Sequence, residues 1–230
     1  MNVPQSALIL IGSAKPAGES TSEALGNYLA QRLQTHGVTV TAMHVARALR
    51  TPARTDALLQ AVDRARLFVL AFPLYVDSLP YLAIEALERI AAHRDAQRSP
   101  TSTTFAALAN CGFPEAHHNR TALDICEEFA AAAGMTWAGG LALGAGGAVH
   151  GQPLAADRGM TRNVARALEL AADALAAGEP VPAEAVTLMA QPLMPRRMYL
   201  FMGEIGWRTQ AWRNGVFHRL RATPLVDDLR

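Results

Sequence analysis

The chain is poor in lysine, cysteine and aromatic residues. Its 230 residues include 21 basic ones, of which Lys15 is the only lysine and the other twenty are arginines. Twenty acidic residues leave a formal net charge of +1, so the chain as a whole has no general attraction for nucleic acid or an anionic membrane. Cys111 and Cys126 cannot build a disulfide framework, which points to a reducing compartment. No apolar run approaches the ~18 residues of a membrane span. The first six residues lack the basic start of a secretory signal. A cytoplasmic protein is expected.

Several signatures of chemistry are missing too. No lysine follows Gly18, so the pattern G-x-x-x-x-G-K-[ST] is absent. The dinucleotide pattern G-x-G-x-x-G is absent, and the second strand ends at Met43-His44 with no acid for a ribose hydroxyl. The third strand ends Ala71-Phe72-Pro73, without the aspartate of a phospho-receiver. There is no G-x-S-x-G elbow, no Ser/His/Asp or Cys/His arrangement and no metal-ligand set. His150 stands alone, and His117-His118 reads as a surface pair whose side chains point in different directions. No side chain is assigned a proton-transfer or nucleophilic role.

What the chain does have is apolar residues, half of its total, arranged in two alternating rhythms. Short apolar runs at 7–11, 38–43, 67–71, 104–109 and 137–143 read as strands. Helical spacing fills 20–36, 55–64, 79–92, 115–133 and 162–177. Leu25, Leu29 and Leu33 share one face of the first helix, and Gly37 ends it. Strands alternating with helices imply an α/β fold, a doubly wound parallel sheet with helices on both faces. Ligands of such sheets lie beyond the carboxyl ends of the strands. Those ends carry the glycine-, proline- and serine-rich segments 12–22, 73–80, 110–115 and 144–151.

The first segment has the chemistry of an anion site. Ser20, Thr21 and Ser22 stand where a helix begins, and a helix start offers unpaired N–H groups and a partial positive charge. Ser13 and Lys15 lie just before them. One hydroxyl would serve as a helix cap; three, with the only lysine, suit a phosphate. The segment after strand three, Pro73-Leu74-Tyr75-Val76 closed by Pro80, is apolar, aromatic and stiff, fit to lie against a flat ring. Asn110-Cys111-Gly112-Phe113-Pro114-Glu115 is a second stiff turn able to face it.

These three motifs, in this order at these strand ends, resemble the NAD(P)H-dependent FMN reductases and quinone reductases of flavodoxin-like fold. The resemblance spans about residues 6–178. It implies five strands in the order 2-1-3-4-5 and an FMN cofactor, with hydride passing from NAD(P)H through FMN to a small acceptor such as a quinone or free flavin. It implies that Ser13, Lys15, Ser20, Thr21 and Ser22 hold the FMN phosphate. Pro73, Leu74, Tyr75 and Val76 would line the ring, with Asn110, Cys111, Gly112 and Phe113 approaching from the next loop. The first loop departs from the family's common form by lacking its arginine and its Ser-x-Asn ending; Lys15 takes the place of that charge. The alternative is a flavin-binding or electron-transfer module without nicotinamide turnover.

Residues 1–178 are thus expected to form the flavin-binding domain, and 179–230 a linker and helical extension. From 196 onward seven arginines oppose three acids, a local charge of +4, with Trp207 and Trp212 among them. Residues 195–221 are expected to dock on the chain's own domain or on a second subunit, in preference to a membrane surface, because the arginines are dispersed and Glu204 interrupts them. The resemblance adds a homo-oligomer, commonly a dimer.

Overall fold

The computed structural model describes residues 3–97, 102–149, 151–154 and 159–222. Five strands, β1 (Ser6–Ile11), β2 (Thr39–His44), β3 (Leu67–Pro73), β4 (Thr104–Asn110) and β5 (Thr136–Leu143), form one sheet in the order β2-β1-β3-β4-β5. Every neighbouring pair is parallel. The inner strands are apolar almost throughout, as strands covered on both faces must be. β2 alternates and is mostly open to solvent, as suits an edge. β5 carries Gly139-Gly140 where its register with β4 shifts between Phe105 and Ala106. Gly140 has no room for a side chain, since a Cβ there would lie 2.6 Å from Leu123 Cδ2.

Helices cover both faces. On one face α1 (Thr21–Thr35) and α6 (Arg162–Ala176) bury Leu25, Leu29, Leu33, Val164, Leu168 and Leu175. Burying each leucine contributes about 1.5–3 kcal/mol. On the other face α3 (Pro52–Arg64), α4 (Tyr81–Gln97) and α5 (Arg120–Ala132) bury Leu58, Val62, Leu87, Ile90, Cys126 and Phe129. Burial pushes the Cys126 thiol up to about 12, so it is a neutral core group.

Some boundaries differ from the sequence reading. A short helix, α2 (Val45–Ala48), follows β2 directly, and α3 starts at Pro52 because Thr51 caps it and proline suits a first turn. A 3-10 turn (Ala116–Asn119) precedes α5. His117 and His118 do not diverge; their rings lie 4.4 Å apart. His150 lies outside the described residues.

The expected domain boundary after residue 178 also moves. The chain divides into two compact units, Met1–Leu193 and Met194–Arg230. Residues 179–182 are no free linker: Val181 N–H donates to the Ala138 carbonyl on β5 (2.7 Å). The next helix, α7 (Ala183–Met189), buries Ala185 and Met189 in the same core as α1 and α6. The second unit contains α8 (Arg196–Arg213) and a short 3-10 turn (Phe217–Arg219).

Arg94 is the one buried arginine among the described residues. Its Nε donates to the Ala133 carbonyl (2.7 Å) and its Nη2 to that of Gly134 (3.5 Å), holding the carboxyl end of α5. Loss of hydration lowers its pKa, although the nearby Asp63 carboxylate works the other way. Arg94→Met leaves both carbonyls without this donor. Denaturant unfolding should show a loss of about 3 kcal/mol, the usual scale for unpairing buried polar groups. Unchanged stability would mean that Arg94 does not hold the helix end.

Candidate functional site

Four loops converge where the strands end. Gly12 N–H donates to the Ala71 carbonyl at the end of β3 (2.7 Å). Only glycine passes there, because a Cβ would meet Phe72 Cβ at 2.9 Å. The loop that follows is fastened from α1: Gly18 N–H donates to Glu23 Oε2 (2.7 Å), and Glu23 Oε1 faces His44 Nε2 at 3.4 Å. Ser20 is the helix cap and accepts from Glu23 N–H (3.4 Å).

The other hydroxyls and Asn110 tie this loop to its neighbours. Asn110 Nδ2 donates to Ser22 Oγ (2.8 Å) and to the Phe72 carbonyl (2.9 Å). Thr21 Oγ1 donates to the Gly146 carbonyl (2.7 Å). Gly146 N–H donates to the Cys111 carbonyl (2.8 Å), and Leu74 N–H to that of Asn110 (2.8 Å). A Cβ on Gly146 would lie 2.8 Å from Asn110 Oδ1. Ala145, just before it, takes the left-handed conformation that turns the chain back (φ 53°).

Between these loops lies a cleft of about 200 Å³. Ser13, Lys15, Ser20, Thr21, Ser22, Pro73, Leu74, Tyr75, Asn110, Cys111 and Gly112 line it, joined by Gly146 and Gly147. The sequence reading put the 144–151 segment at a strand end with the other three but placed none of its residues in the site. The signal was the run of glycines at a strand end.

Two expected residues lie elsewhere. Val76 and Asp77 form the two-residue turn between Tyr75 and Ser78, whose backbones exchange hydrogen bonds of 2.9 and 3.1 Å. Val76 is 98% exposed at its tip and does not line the cleft. Phe113 does not line it either; it is half-exposed, with its ring 4.4 Å from that of His118. Cys111 lines the cleft, but its thiol donates to the carbonyls of Phe113 (3.6 Å) and Glu115 (3.5 Å). Burial raises its pKa, so it stays a thiol that holds the 110–115 turn.

The cleft is polar at one end and apolar at the other. The polar end holds the hydroxyls of Ser13, Ser20 and Ser22, each accepting one bond and keeping its own proton for another acceptor. The first N–H groups of α1 and the Lys15 ammonium add to them. Thr21 differs, since its proton is committed to Gly146. Pro73, Leu74 and Tyr75 make the apolar end. Among the described residues no cluster of three or more histidine, cysteine or acidic side chains stands ready for a metal.

The sequence matches the model of the NADPH-dependent FMN reductases over residues 6–150. The chain belongs to that family. It is an NAD(P)H-dependent flavin oxidoreductase, with FMN as its cofactor and NAD(P)H as its co-substrate. No curated protein matches the sequence. An NADH:FMN oxidoreductase structure is similar at 16% identity and TM-score 0.54, covering 84% of this chain and 98% of its own. The NAD(P)H:quinone oxidoreductase from Methanothermobacter marburgensis is similar at 13% identity and TM-score 0.53, covering 76% and 96%. At these identities the likeness shows the shared flavodoxin-like fold. The donor set fits FMN, with proton donors and a cation for its phosphate and a flat apolar wall for its ring.

The Val76-Asp77 turn carries a cost. Both residues are left-handed (φ 50° and 60°), a conformation that asparagine and glycine accept and a β-branched residue resists. Val76→Asn should raise thermal stability, by about 1 kcal/mol of relieved strain. If stability does not rise, the turn is relaxed with valine in place.

Proposed function

We propose that the cleft binds FMN with its phosphate among Ser13, Lys15, Ser20 and Ser22 and its ring against Pro73, Leu74 and Tyr75, and that the acceptor is a quinone or free flavin. The observation that carries this reading is the cleft's division into an anion-suited end at the start of α1 and an apolar end after β3. FMN held there would supply the hydride chemistry between NAD(P)H and the acceptor. The chain's own residues bind and orient. Lys15 and the three serine hydroxyls answer the phosphate charge. Asn110 acts at one remove, holding Ser22 and the end of β3 in register. Tyr75, half-exposed at the rim, leaves the ring open on one side to a second planar molecule, which suits an aromatic acceptor such as a quinone.

The absorbance spectrum of the purified protein and its NAD(P)H oxidation with a quinone test the reading directly. Apoprotein titrated with both flavins should prefer FMN to riboflavin. Ser20→Ala with Ser22→Ala should narrow that preference by a few kcal/mol, the scale of charge-assisted hydrogen bonds. Loss of the Ser20 cap costs about 1 kcal/mol of stability separately. Tyr75→Ala should weaken both flavins alike, by roughly 1–3 kcal/mol. Equal affinity for the two flavins in the unaltered protein would remove the phosphate from this site.

A homo-oligomer belongs to the same reading. Tyr75, Val76, Tyr81 and Phe113 expose large apolar surfaces on the loops around the cleft and at the start of α4, and association would cover them. Analytical ultracentrifugation should find an oligomer in the unaltered protein; a monomer at all concentrations would refute this.

A further inference from the structure

The second unit has a large apolar surface that its own described residues leave open. In α8, Met198, Phe201, Met202, Ile205 and Trp212 recur at spacings of three, four and seven, which stacks them in one stripe. They are 46–73% exposed. Arg197 and Arg208 border one edge of the stripe and Arg213 the other, by the same helical geometry. The opposite side is treated differently. After α8 the chain turns back, with Val216 N–H donating to the Ala211 carbonyl (2.9 Å). Phe217, His218, Leu220 and Arg221 then form a cleft with Glu204, Trp207 and Arg208. The turn lies on the Trp207 side, where Trp207 itself stays exposed, and no stripe residue lines that cleft.

We propose that this stripe docks on an anionic lipid surface. Its charge selects that occupant. The unit, residues 194–230, holds seven arginines and three acids, Glu204, Asp227 and Asp228, a net of +4. Glu204 is itself paired with Arg208 (2.8 Å). Two copies of the unit face to face would set +4 against +4, whereas acidic headgroups offer the opposite sign. A membrane-surface helix needs apolar side chains toward the acyl boundary and long cationic ones along its flanks, reaching back to the headgroups. Arg197, Arg208 and Arg213 hold those flanking positions. The dispersal of arginines, which in the sequence favoured docking on protein, becomes on the helix a border on both sides of the stripe. No helix among the described residues is long and apolar enough to cross a membrane, so the unit lies on the surface.

Vesicle flotation of the full-length protein tests this. Vesicles of phosphatidylcholine with phosphatidylserine should carry the protein, and vesicles of phosphatidylcholine alone should not. High salt should release it. Arg208→Gln with Arg213→Gln should lower the partition coefficient about 25-fold, roughly fivefold per basic residue removed. Phe201→Ser with Ile205→Ser should abolish binding while circular dichroism stays unchanged. Trp212 fluorescence should shift to the blue on binding, a shift lost in Trp212→Phe and kept in Trp137→Phe. Two results would overturn the proposal. One is no recovery with anionic vesicles; the other is recovery that neither double variant alters. Should vesicles fail while Phe201→Ser with Ile205→Ser turns an oligomer into a monomer, the stripe is a protein interface.

Discussion

One side-chain amide holds the ends of three elements together. Asn110 stands buried at the last position of β4, and its single NH2 group reaches the final turn of β3 and the first turn of α1. Both acceptors lie in a part of the molecule where water does not replace a lost partner freely. Leaving that amide unpaired costs about 1–3 kcal/mol, enough to define the spacing of the loops. From this point the network runs on: Cys111 N–H donates to the Leu143 carbonyl at the end of β5, and Gly146 N–H returns to Cys111. Thr21 closes the circuit by donating back across to Gly146. The cleft is the space that these bonds leave between the loops.

Several groups there do two jobs, and the chemistry of hydroxyls allows it. A serine hydroxyl accepts and donates at once. Ser20 caps α1 and Ser22 receives Asn110, yet each keeps a proton for an anionic ligand. Threonine at 21 has given its proton to a carbonyl, and its hydroxyl ties two loops together. The cysteine beside Asn110 is likewise structural, a buried thiol bonded to backbone carbonyls. The titratable side chains lining the cleft are Lys15, Tyr75 and Cys111, which suits a reaction whose bond-making atoms belong to a cofactor.

The second unit follows another logic. The first buries its apolar residues between helix and sheet; α8 buries only Ala211 among the described residues and leaves its methionines, isoleucine and tryptophans open. Arginine supplies the solubility that burial supplies elsewhere. Segregating an overall charge near +1 into a strongly basic end and a weakly acidic remainder gives this end an electrostatic identity that net charge conceals.

Much of this architecture is legible in the sequence, for physical reasons. Runs such as Leu67 to Ala71 have no polar side chain to show solvent, and at five residues between turn signals they suit inner strands. Leu25, Leu29 and Leu33 make an apolar face in a helix, whereas a strand would set Asn27 and Gln31 among them. Parallel pairing then forces the strand ends, and the segments 12–22, 73–80, 110–115 and 144–151, to one side. What the sequence does not carry is which partner each polar group finds. Ser20, Thr21 and Ser22 look alike in a row, but Ser20 caps its own helix while Ser22 and Thr21 are claimed by residues about ninety and more than a hundred positions away. Val76 reads as a lining residue until the Tyr75–Ser78 bridge puts it at the tip of a turn. Residues 179–182 read as a linker until Ala138 accepts from Val181. Hydrophobic periodicity is a local property and fixes the elements; hydrogen-bond pairing across loops is a long-range one, and only the folded chain decides it.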